Sequence, residues 1–494
     1  MDGQAPRQAG RLSMIDHDVI IVGLGPVGAL LANFLGQRGH QVVVLERDHD
    51  LHDLPRAVHF DGEVMRAFQN AGLATDIENI ARASTHGMHF VDQRGETLMI
   101  RRSTDGPGPQ GWASNWYFHQ PDLDAVLRRG ITRFKNVEVR LGHEVTRIEE
   151  AADRVTVESR NVDQEVQRRS ARYLIGCDGS HSIVRRMIDS AHEDLGLHQP
   201  WLVVDVITKP GNKRADAIPP YTVQHCDPAR PRTRVYVGKR RHRWEIMLLP
   251  GEDPEEMVDP KRFWSIVDDT LQPTDGEVER AAIYSFHALI ADRWQTQRLF
   301  LAGDSCHQTP PFLGQGLCAG VRDAFNLQWK LDLVLRGECA AEILQSYQSE
   351  RRTHVRAFIE LAVRLGRIIQ ATQSHAVAKR DAVFTSQGTQ IFDFPQPRLG
   401  RGLHIGEDGG RLLPQPRIAG RLLDRIAQGR FTLISADPPG IELPPHVHYL
   451  ERNVCEDPTF PPAVLLRPDG YVFGSSKDAA TADELLRRMH TVLR

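Results

Sequence analysis

Gly23, Gly25 and Gly28 stand in the spacing G-x-G-x-x-G, with Glu46 downstream at the end of an apolar run. That spacing suits a pyrophosphate. The first glycine permits a tight turn, the second lets backbone approach the phosphates, the third lets a helix pack closely on a strand, and the helix N-terminus favours negative charge. Glu46 is then placed to accept ribose hydroxyls. A second segment, Arg298 to Cys318 (RLFLAGDSCHQTPPFLGQGLC), puts Gly303-Asp304 just past a short strand, followed by prolines, glycines and a long helix. NAD binding needs nothing of this kind. A carboxylate there can hold a sugar-like chain by charge-assisted hydrogen bonds, and Gly314 and Gly316 let backbone amides approach a flat ring at a helix start. Together the two segments select FAD over NAD. A third segment, Tyr173 to Arg185 (YLIGCDGSHSIVR), has the same strand-then-turn form around Asp178-Gly179. Taken singly, an Asp-Gly pair is an ordinary turn; its meaning comes from the other two segments.

Other residues that could do chemistry lack partners in the sequence. Ser305, Cys306 and His307 adjoin Asp304, but no G-x-S-x-G elbow is present, which argues against a hydrolase. His354, His446 and His448 have no companions at metal-ligand spacing and are expected on the surface, so no metal is expected. Trp112 and Trp116 are expected to pack in a core. Six cysteines without a CxxC pair fit neither a disulfide framework nor a zinc site, and suggest a reducing cytoplasm. The absence of C-x-x-x-x-C excludes a disulfide reductase. Lys plus Arg number 61 against 64 Asp plus Glu, so no global field draws nucleic acid or anionic lipid. The longest charge-free run, Val19 to Gln37, is broken by Gly23, Gly25, Pro26 and Gly28, which argues against a membrane span.

The elements that must position these residues are legible in outline. Asp18 to Val22 is a short apolar β-branched run of the kind buried in a parallel sheet. Val27, Leu30, Leu31, Phe34 and Leu35 then recur at helical spacing up to Gly39, and Gln41 to Leu45 is the next strand. This is a βαβ unit. Further strands are expected at Val137–Arg140, Val155–Glu158, Tyr173–Ile175 and Leu299–Leu301, so an insertion must separate pieces of one sheet. Residues 201–249 supply it with the alternating segments WLVVDVI, YTVQH, TRVYVG and WEIMLL. Helices follow from Leu317 to Leu335 and from Ile343 to about Ile369, then a Pro-rich linker after Phe394, then strands and helices from about residue 415. The expected class is α/β, a Rossmann-like FAD-binding domain with an inserted antiparallel-sheet substrate domain, a helical region and a C-terminal domain. The divisions are 1–16, a disordered extension; 17–200 with 285–395, FAD binding and helices; 201–284, the substrate sheet; and 415–494. Trp201, Tyr221, His225 and Tyr236 are candidates to roof the ring, although strand alternation turns half of them away.

In this order and spacing the three segments resemble the single-component FAD-dependent aromatic hydroxylases, the para-hydroxybenzoate hydroxylase type of class A flavoprotein monooxygenase. Within that class, LPRAVHFDGEVMRAFQNAGL (54–73), WYFHQPDLDAVLR (116–128), AGDSCHQTPPFLGQGLCAGVRDAFNLQWKLDLVL (302–335) and YQSERRTHVR (347–356) look closest to 3-(3-hydroxyphenyl)propionate hydroxylases. The resemblance covers about residues 17–375. The C-terminal part, with its RPDGYV turn (467–472), is similar to the thioredoxin-like domain of the phenol hydroxylase branch, but holds Cys455 alone and no redox pair. Between about 370 and 450 the chain is shorter than that subgroup.

The resemblance implies FAD as cofactor and NADH or NADPH as co-substrate. It assigns Gly23, Gly25, Gly28, Glu46 and Arg47 to the ADP part, and Arg56 and Gln120 to the ribityl and pyrophosphate portion. Asp178 and Gly179, with Arg185, match a motif serving both FAD and nicotinamide, and Asp304 matches the ribityl-binding aspartate. Pro311 would line the reaction cavity, and Gly314, Gln315, Gly316, Leu317 and Cys318 would offer backbone contacts to the isoalloxazine. It further implies oxygen transfer from a flavin C4a-hydroperoxide to a phenol resembling 3-(3-hydroxyphenyl)propionate, in a cytoplasmic enzyme, with a homodimer as the assembly to test. The partners are a small aromatic and O2, with neither nucleic acid nor membrane. The alternatives are another aromatic such as a polyketide phenol or quinolone, an oxidase or dehydrogenase of the same fold, and a non-catalytic flavin-binding protein.

Overall fold

The computed structural model describes residues 15–50, 56–238, 240–454, 460–477 and 481–494. Residues 1–14 of the expected extension, and Cys455, lie outside the described residues. Asp16, expected in that extension, belongs to the fold: its carboxylate accepts from the backbone N–H and the hydroxyl of Ser170, each at 2.9 Å.

The βαβ unit forms as its apolar pattern requires, with strands His17–Val22 and Val42–Glu46 around helix Pro26–Gln37. Both strands lie in a seven-stranded sheet. Val137–Leu141 pairs parallel with Val42–Glu46, Val166–Gly176 parallel with His17–Val22, and Leu299–Leu301 parallel with the far end of Val166–Gly176. A hairpin, Glu144–Glu150 with Val155–Arg160, widens one edge. Val19, Ile20 and Ile21 are wholly buried, as the continuous apolar run demands of a parallel strand covered on both faces. The register sets Val22 beside Gly176 and Gly176 beside Leu301. The chain thus leaves three neighbouring strands at the same end, and all three turns singled out in the sequence meet there.

The second sheet is wider than the expected 201–284 insertion. It has nine strands and draws on distant segments, Met88–Val91, Thr97–Arg101, His307–Gln308 and Gln390–Phe392, as well as the meander. The divisions drawn at 200/201 and 284/285 fall inside single long strands, His192–Thr208 and Gly276–Ala291, which run from the first domain into the second without a break. At both points the two strands are paired with each other, Pro200 opposite Ser285 and Trp201 opposite Tyr284, which stiffens the crossing. One face of the meander packs Leu202, Val204, Trp244 and Ile246 against Phe263, Val267 and Leu271. By alternation, the other face carries Val203, Arg243 and Glu245 toward the first domain.

Beyond helices Gly316–Leu335 and Ser346–Ile369, the C-terminal part forms a four-stranded sheet in the order Val447–Glu451, Phe431–Ser435, Ala463–Leu466, Val472–Ser475. The first two of these strands are parallel and the rest antiparallel, closed by helix Ala482–Leu493. This is a thioredoxin-like strand order in which a loop, 436–446, stands where a helix would join the first two strands.

A buried ion network fastens this part to the body. Glu350 accepts from Lys330 Nζ (2.8 Å) and from both terminal nitrogens of Arg467 (2.8 and 2.9 Å). Asp469 accepts from Arg467, Asn326 and the Trp329 indole. Burial pushes Glu350 upward, but Arg467 and Lys330 outweigh it and hold its carboxyl below the usual range. Its stabilising contribution is therefore fully present above the usual value of 4.5 and is lost as pH falls through the depressed folded value. Replacing Arg467 by Met leaves two carboxylates short of a dry partner, and the expected cost is about 3–5 kcal/mol, measured by denaturant unfolding of the FAD-loaded enzyme at neutral pH. A variant as stable as the parent would show that the network carries no net weight.

Candidate functional site

Where the three strands end, backbone meets backbone. The Gly23 N–H donates to the Leu45 carbonyl, Cys177 N–H to Val22 and Ala302 N–H to Gly176. Gly28 is forced to be glycine, because a Cβ there would stand 2.0 Å from the Gly23 carbonyl oxygen. At Gly25, by contrast, a Cβ would meet nothing within 4 Å, which leaves open space directly over the N-terminus of helix Pro26–Gln37. This is the room a pyrophosphate needs. Glu46 Oε2 accepts from the Leu24 N–H at 2.6 Å and Oε1 from the Asp48 N–H at 3.0 Å. The carboxylate braces the turn and retains lone pairs for a ribose. Arg47 is exposed, with Asp48 at 3.8 Å, outside the cavity described below.

Asp178 begins the second turn. Its Oδ2 accepts from the backbone of Ile183 (2.7 Å), while its buried Oδ1 has no partner among the described residues, and burial pushes the carboxyl upward. Gly179 has a positive φ of 74° and open space around it. Arg185 bridges the second and third turns, donating to the carbonyls of Ser180 (3.0 Å) and Ser305 (3.3 Å). Asp304 faces Arg56 across 3.6 Å. Gln120 fixes the other end of that arm by accepting from the Arg56 and Ala57 N–H groups at 2.7 and 2.8 Å. An orphaned buried acceptor, an open phosphate turn and a carboxylate–guanidinium pair at the mouth of a cavity all suit an FAD laid across the three strand ends.

That cavity, about 600 Å³, lies between the turns and the second sheet. Arg56, Arg185, Asp304, Pro311, Gly314, Gln315, Gly316 and Leu317 border it. The Pro311 carbonyl closes its own turn by accepting from Gly314 N–H at 2.7 Å. Gly314 adopts a φ of +66°, with a hypothetical Cβ 2.9 Å from His59 Nδ1. The Gln315 side chain turns inward, donating to Asp61 (3.2 Å) and accepting from Arg322 (2.9 Å), so backbone is what this segment offers a ring. Cys318 is buried behind it, its thiol pushed up by burial and by Asp61.

The other candidate groups have structural duties. Ser305 donates its one hydroxyl proton to the Gly176 carbonyl at 2.7 Å and accepts from the Ala302 N–H at 3.1 Å. The Cys306 thiol, held neutral by burial, donates to Gly303. His307 meets Asp323 at 2.7 Å, and Asp323 also takes Arg351 at 2.9 Å. Trp116 is buried and packs edge-on against Trp112. His354 is not at the surface: Arg351, one turn back on the same helix, and Tyr471, from the distant C-terminal part, enclose it.

Sequence reasoning missed most of the inner wall. Trp201, Tyr221, His225 and Tyr236 do not line the cavity; Trp201 packs behind it on Phe286 and Phe312. The roof is Val203, Gln224, Thr233, Val235, Glu245 and Tyr284, facing His59 and Tyr117 from the first domain. The register decides this. Thr233 and Val203 flank Glu245 on neighbouring strands, and Gln224 flanks Thr233. Burial first, then Arg101, pushes the His59 imidazole down to about 4, so it is neutral at working pH.

A phosphate turn at one end and a ring cradle opening on an enclosed chamber at the other serve a flavin, so the fold and site define a flavoprotein oxidoreductase. A family model described as "FAD binding domain" matches residues 16–362. A probable NADH-specific resorcinol 4-hydroxylase of Rhodococcus jostii (strain RHA1) is 36% identical over 98% of this chain and 96% of its own length. A 3-(3-hydroxy-phenyl)propionate/3-hydroxycinnamic acid hydroxylase of Comamonas testosteroni is 34% identical over 88% of this chain and 76% of its own. In fold, the chain is similar to the flavin-dependent monooxygenase PieE, solved with FAD and substrate (TM-score 0.79, 21% identity, 97% of this chain and 99% of that one). It is also similar to aklavinone-11 hydroxylase, solved with FAD and aklavinone (TM-score 0.78, 21% identity, 97% and 99%). The chain belongs to the FAD-binding-domain family and, within it, to the FAD-dependent aromatic monooxygenases. It is an enzyme that uses FAD and a reduced nicotinamide to hydroxylate an aromatic ring. No described helix is long and apolar enough to cross a membrane.

Asp304→Ala should weaken FAD binding roughly tenfold to a hundredfold, the loss of one charge-assisted hydrogen bond of about 1.5–3 kcal/mol, with little change in the apoprotein's unfolding. Fluorescence titration of the apoprotein with FAD measures it; unchanged affinity would remove Asp304 from the site.

Proposed function

We propose that the enzyme hydroxylates a small uncharged phenol of the resorcinol type, with NADH as reductant. What supports this most directly is the charge of the inner wall. Its polar groups are the Tyr117 and Thr222 hydroxyls, the Gln224–Thr233 pair, neutral His59 and the carboxyl of Glu245. The nearby guanidinium groups are engaged elsewhere, Arg243 by Asp205 at 2.8 Å and Arg56 by Asp304. A carboxylate side chain lying against this wall would face Glu245, an unfavourable burial, whereas a second hydroxyl meets donors and acceptors; Arg185, which also borders the cavity, already donates to the Ser180 and Ser305 carbonyls. The Rhodococcus relative, alignable over almost the whole chain, is named for resorcinol and NADH. The leading expectation from the sequence, a 3-(3-hydroxyphenyl)propionate-like phenol, has the support of the Comamonas relative's name.

When bound, FAD supplies the redox and oxygen-transfer chemistry. In this reading Gly23, Gly25, Gly28, Glu46 and Arg47 hold the ADP half. Arg56, Gln120, Asp178, Gly179 and Asp304 hold the middle, and the backbone of Gly314 to Cys318 holds the ring. Val203, Val235 and Phe286 of the second sheet border the same cavity and would limit water beside a bound ring, which would protect reactive oxygen species from unproductive decay. We further propose a homodimer in the cytoplasm, a reducing compartment that would keep the described cysteines as free thiols.

Resorcinol should stimulate NADH oxidation and yield a trihydroxybenzene carrying oxygen-18 from labelled dioxygen, with kcat/KM at least about tenfold above that for 3-(3-hydroxyphenyl)propionate, the effect of one unpaired buried charge. The reverse ratio would assign the propionate. Stimulated NADH oxidation that yields hydrogen peroxide alone across a phenol panel would point to an oxidase.

A further inference from the structure

We infer that Glu245 is the catalytic base that takes the phenolic proton of the substrate. The inference rests on the reading above that the ligand is a phenol. The residue sits mid-strand in Arg241–Met247, is 7% exposed, and borders the cavity roof. Its side chain accepts no hydrogen bond from the described residues. Its carboxylate oxygens are not sealed in packed protein but open onto the cavity, so a bound ligand can supply the partner that the protein does not. The neighbours explain why it stays unpaired. On one flanking strand the opposite residue is Val203; on the other it is Thr233, whose hydroxyl is spent on the Gln224 amide oxygen. Arg243, two residues back on the same face, is forked onto Asp205 by two bonds of 2.8 Å and gives its remaining nitrogen to the Arg56 carbonyl. Across the sheet, Arg280 is occupied by Asp205 and the Tyr284 hydroxyl. From the first domain the chamber receives neutral His59 and Tyr117, whose hydroxyl is paired with Thr222. The open valence of Glu245 therefore faces the space where the ring must lie.

The environment also tunes the group. Burial pushes Glu245 up to about 7, against the attraction of Arg243, with Asp205 adding to the rise. An ordinary carboxylate is too weak a base for a phenol, whose hydroxyl titrates near 10 like that of tyrosine. A carboxylate near 7 is ionised about half the time at neutral pH and lies close enough to the phenol for proton transfer to be effective. In the step, the phenol O–H bond breaks, its electron pair stays on oxygen, and the proton moves to a Glu245 carboxylate oxygen. The resulting phenolate is the electron-rich form that the established oxygen transfer from dioxygen requires. After transfer the hydroxylated carbon loses its hydrogen as a proton to water, and Glu245 returns its own proton to the former phenolate oxygen. The carboxylate ends as it began and the ring is aromatic again.

The test uses the FAD-loaded enzyme with 4-nitrophenol as a chromophoric probe, whose phenolate absorbs in the visible, and the variants Glu245→Gln and Glu245→Asp. A phenol and a carboxyl sharing one proton titrate as a pair in two macroscopic steps. Bound probe in the parent enzyme should therefore gain its phenolate band in two steps. In Glu245→Gln it should do so in one, and Glu245→Asp should restore two. Glu245→Gln breaks no hydrogen bond and should retain FAD. Its single-turnover hydroxylation should fall by about a hundredfold to ten-thousandfold, the usual worth of general-base catalysis, and should lack the rise with pH centred near 7 that is expected of the parent. A single, identical titration in parent and Glu245→Gln, or undiminished hydroxylation by Glu245→Gln, would overturn the assignment. Failure of the probe to bind the parent at all would overturn both this inference and the phenol reading. Two-step titration with poor turnover of resorcinol would overturn the choice of substrate alone and uphold Glu245.

Discussion

The long helix Gly316–Leu335 carries Arg322, Asp323 and Lys330 into the dry interior, and burying a charge is tolerable only where an opposite charge and hydrogen bonds meet it. Each of the three recruits a different part of the chain. Arg322 reaches Asp61 (2.6 Å), Glu63 and Gln315. Asp323 receives the Gly303 N–H, His307 and Arg351. Lys330 meets Glu350, and through it Arg467 of the C-terminal part. The ring cradle, the Gly303-Asp304 turn and the C-terminal sheet are thus held in register by one helix whose N-terminus is itself part of the cradle.

The C-terminal part reaches the flavin side through the same network. The Tyr471 hydroxyl donates to Glu63 at 2.8 Å, Glu63 holds Arg322, and Arg322 holds the Gln315 side chain whose backbone borders the ring site. The Pro-rich stretch between the two parts is packed rather than free: Phe394 lies over the Arg101 guanidinium and against Phe358, and Leu399 and Leu412 cluster with Tyr471. A thioredoxin-like sheet without a redox pair therefore has a mechanical role here, bracing the back of the cradle.

The front of the chamber obeys a different constraint. Two long paired strands, His192–Thr208 and Gly276–Ala291, run out of the FAD-binding side and into the second sheet. The roof cannot swing independently of the cradle at those points without breaking ladder bonds. An aromatic substrate between these walls meets only a few polar groups, and the carboxyl among them with no hydrogen bond from the described residues is Glu245.

Much of this architecture is written in local patterns. Gly23, Gly25 and Gly28 between an apolar strand and a helix specify a phosphate turn, because the clash that demands glycine at Gly28 is with Gly23, five residues back, and the open space at Gly25 lies at the start of the same helix. The helix and strands of the first unit follow from short-range periodicity, and Gly303-Asp304 and Gly314 to Cys318 are readable for the same reason. What the sequence could not reveal depends on register and on contacts far apart in the chain. Glu245 is one glutamate in an alternating strand, and whether it faces solvent, core or cavity is set by its pairing with Val203 and Thr233. Trp201 looked like a roof residue, but packs behind the chamber because Phe286 and Phe312 meet it there. His354 looked exposed until Tyr471, far along the chain, covered it. Local sterics and hydrophobic period fix where FAD can lie, while the chamber over the ring and the charges inside it are decided by which distant strands pair, and in what register.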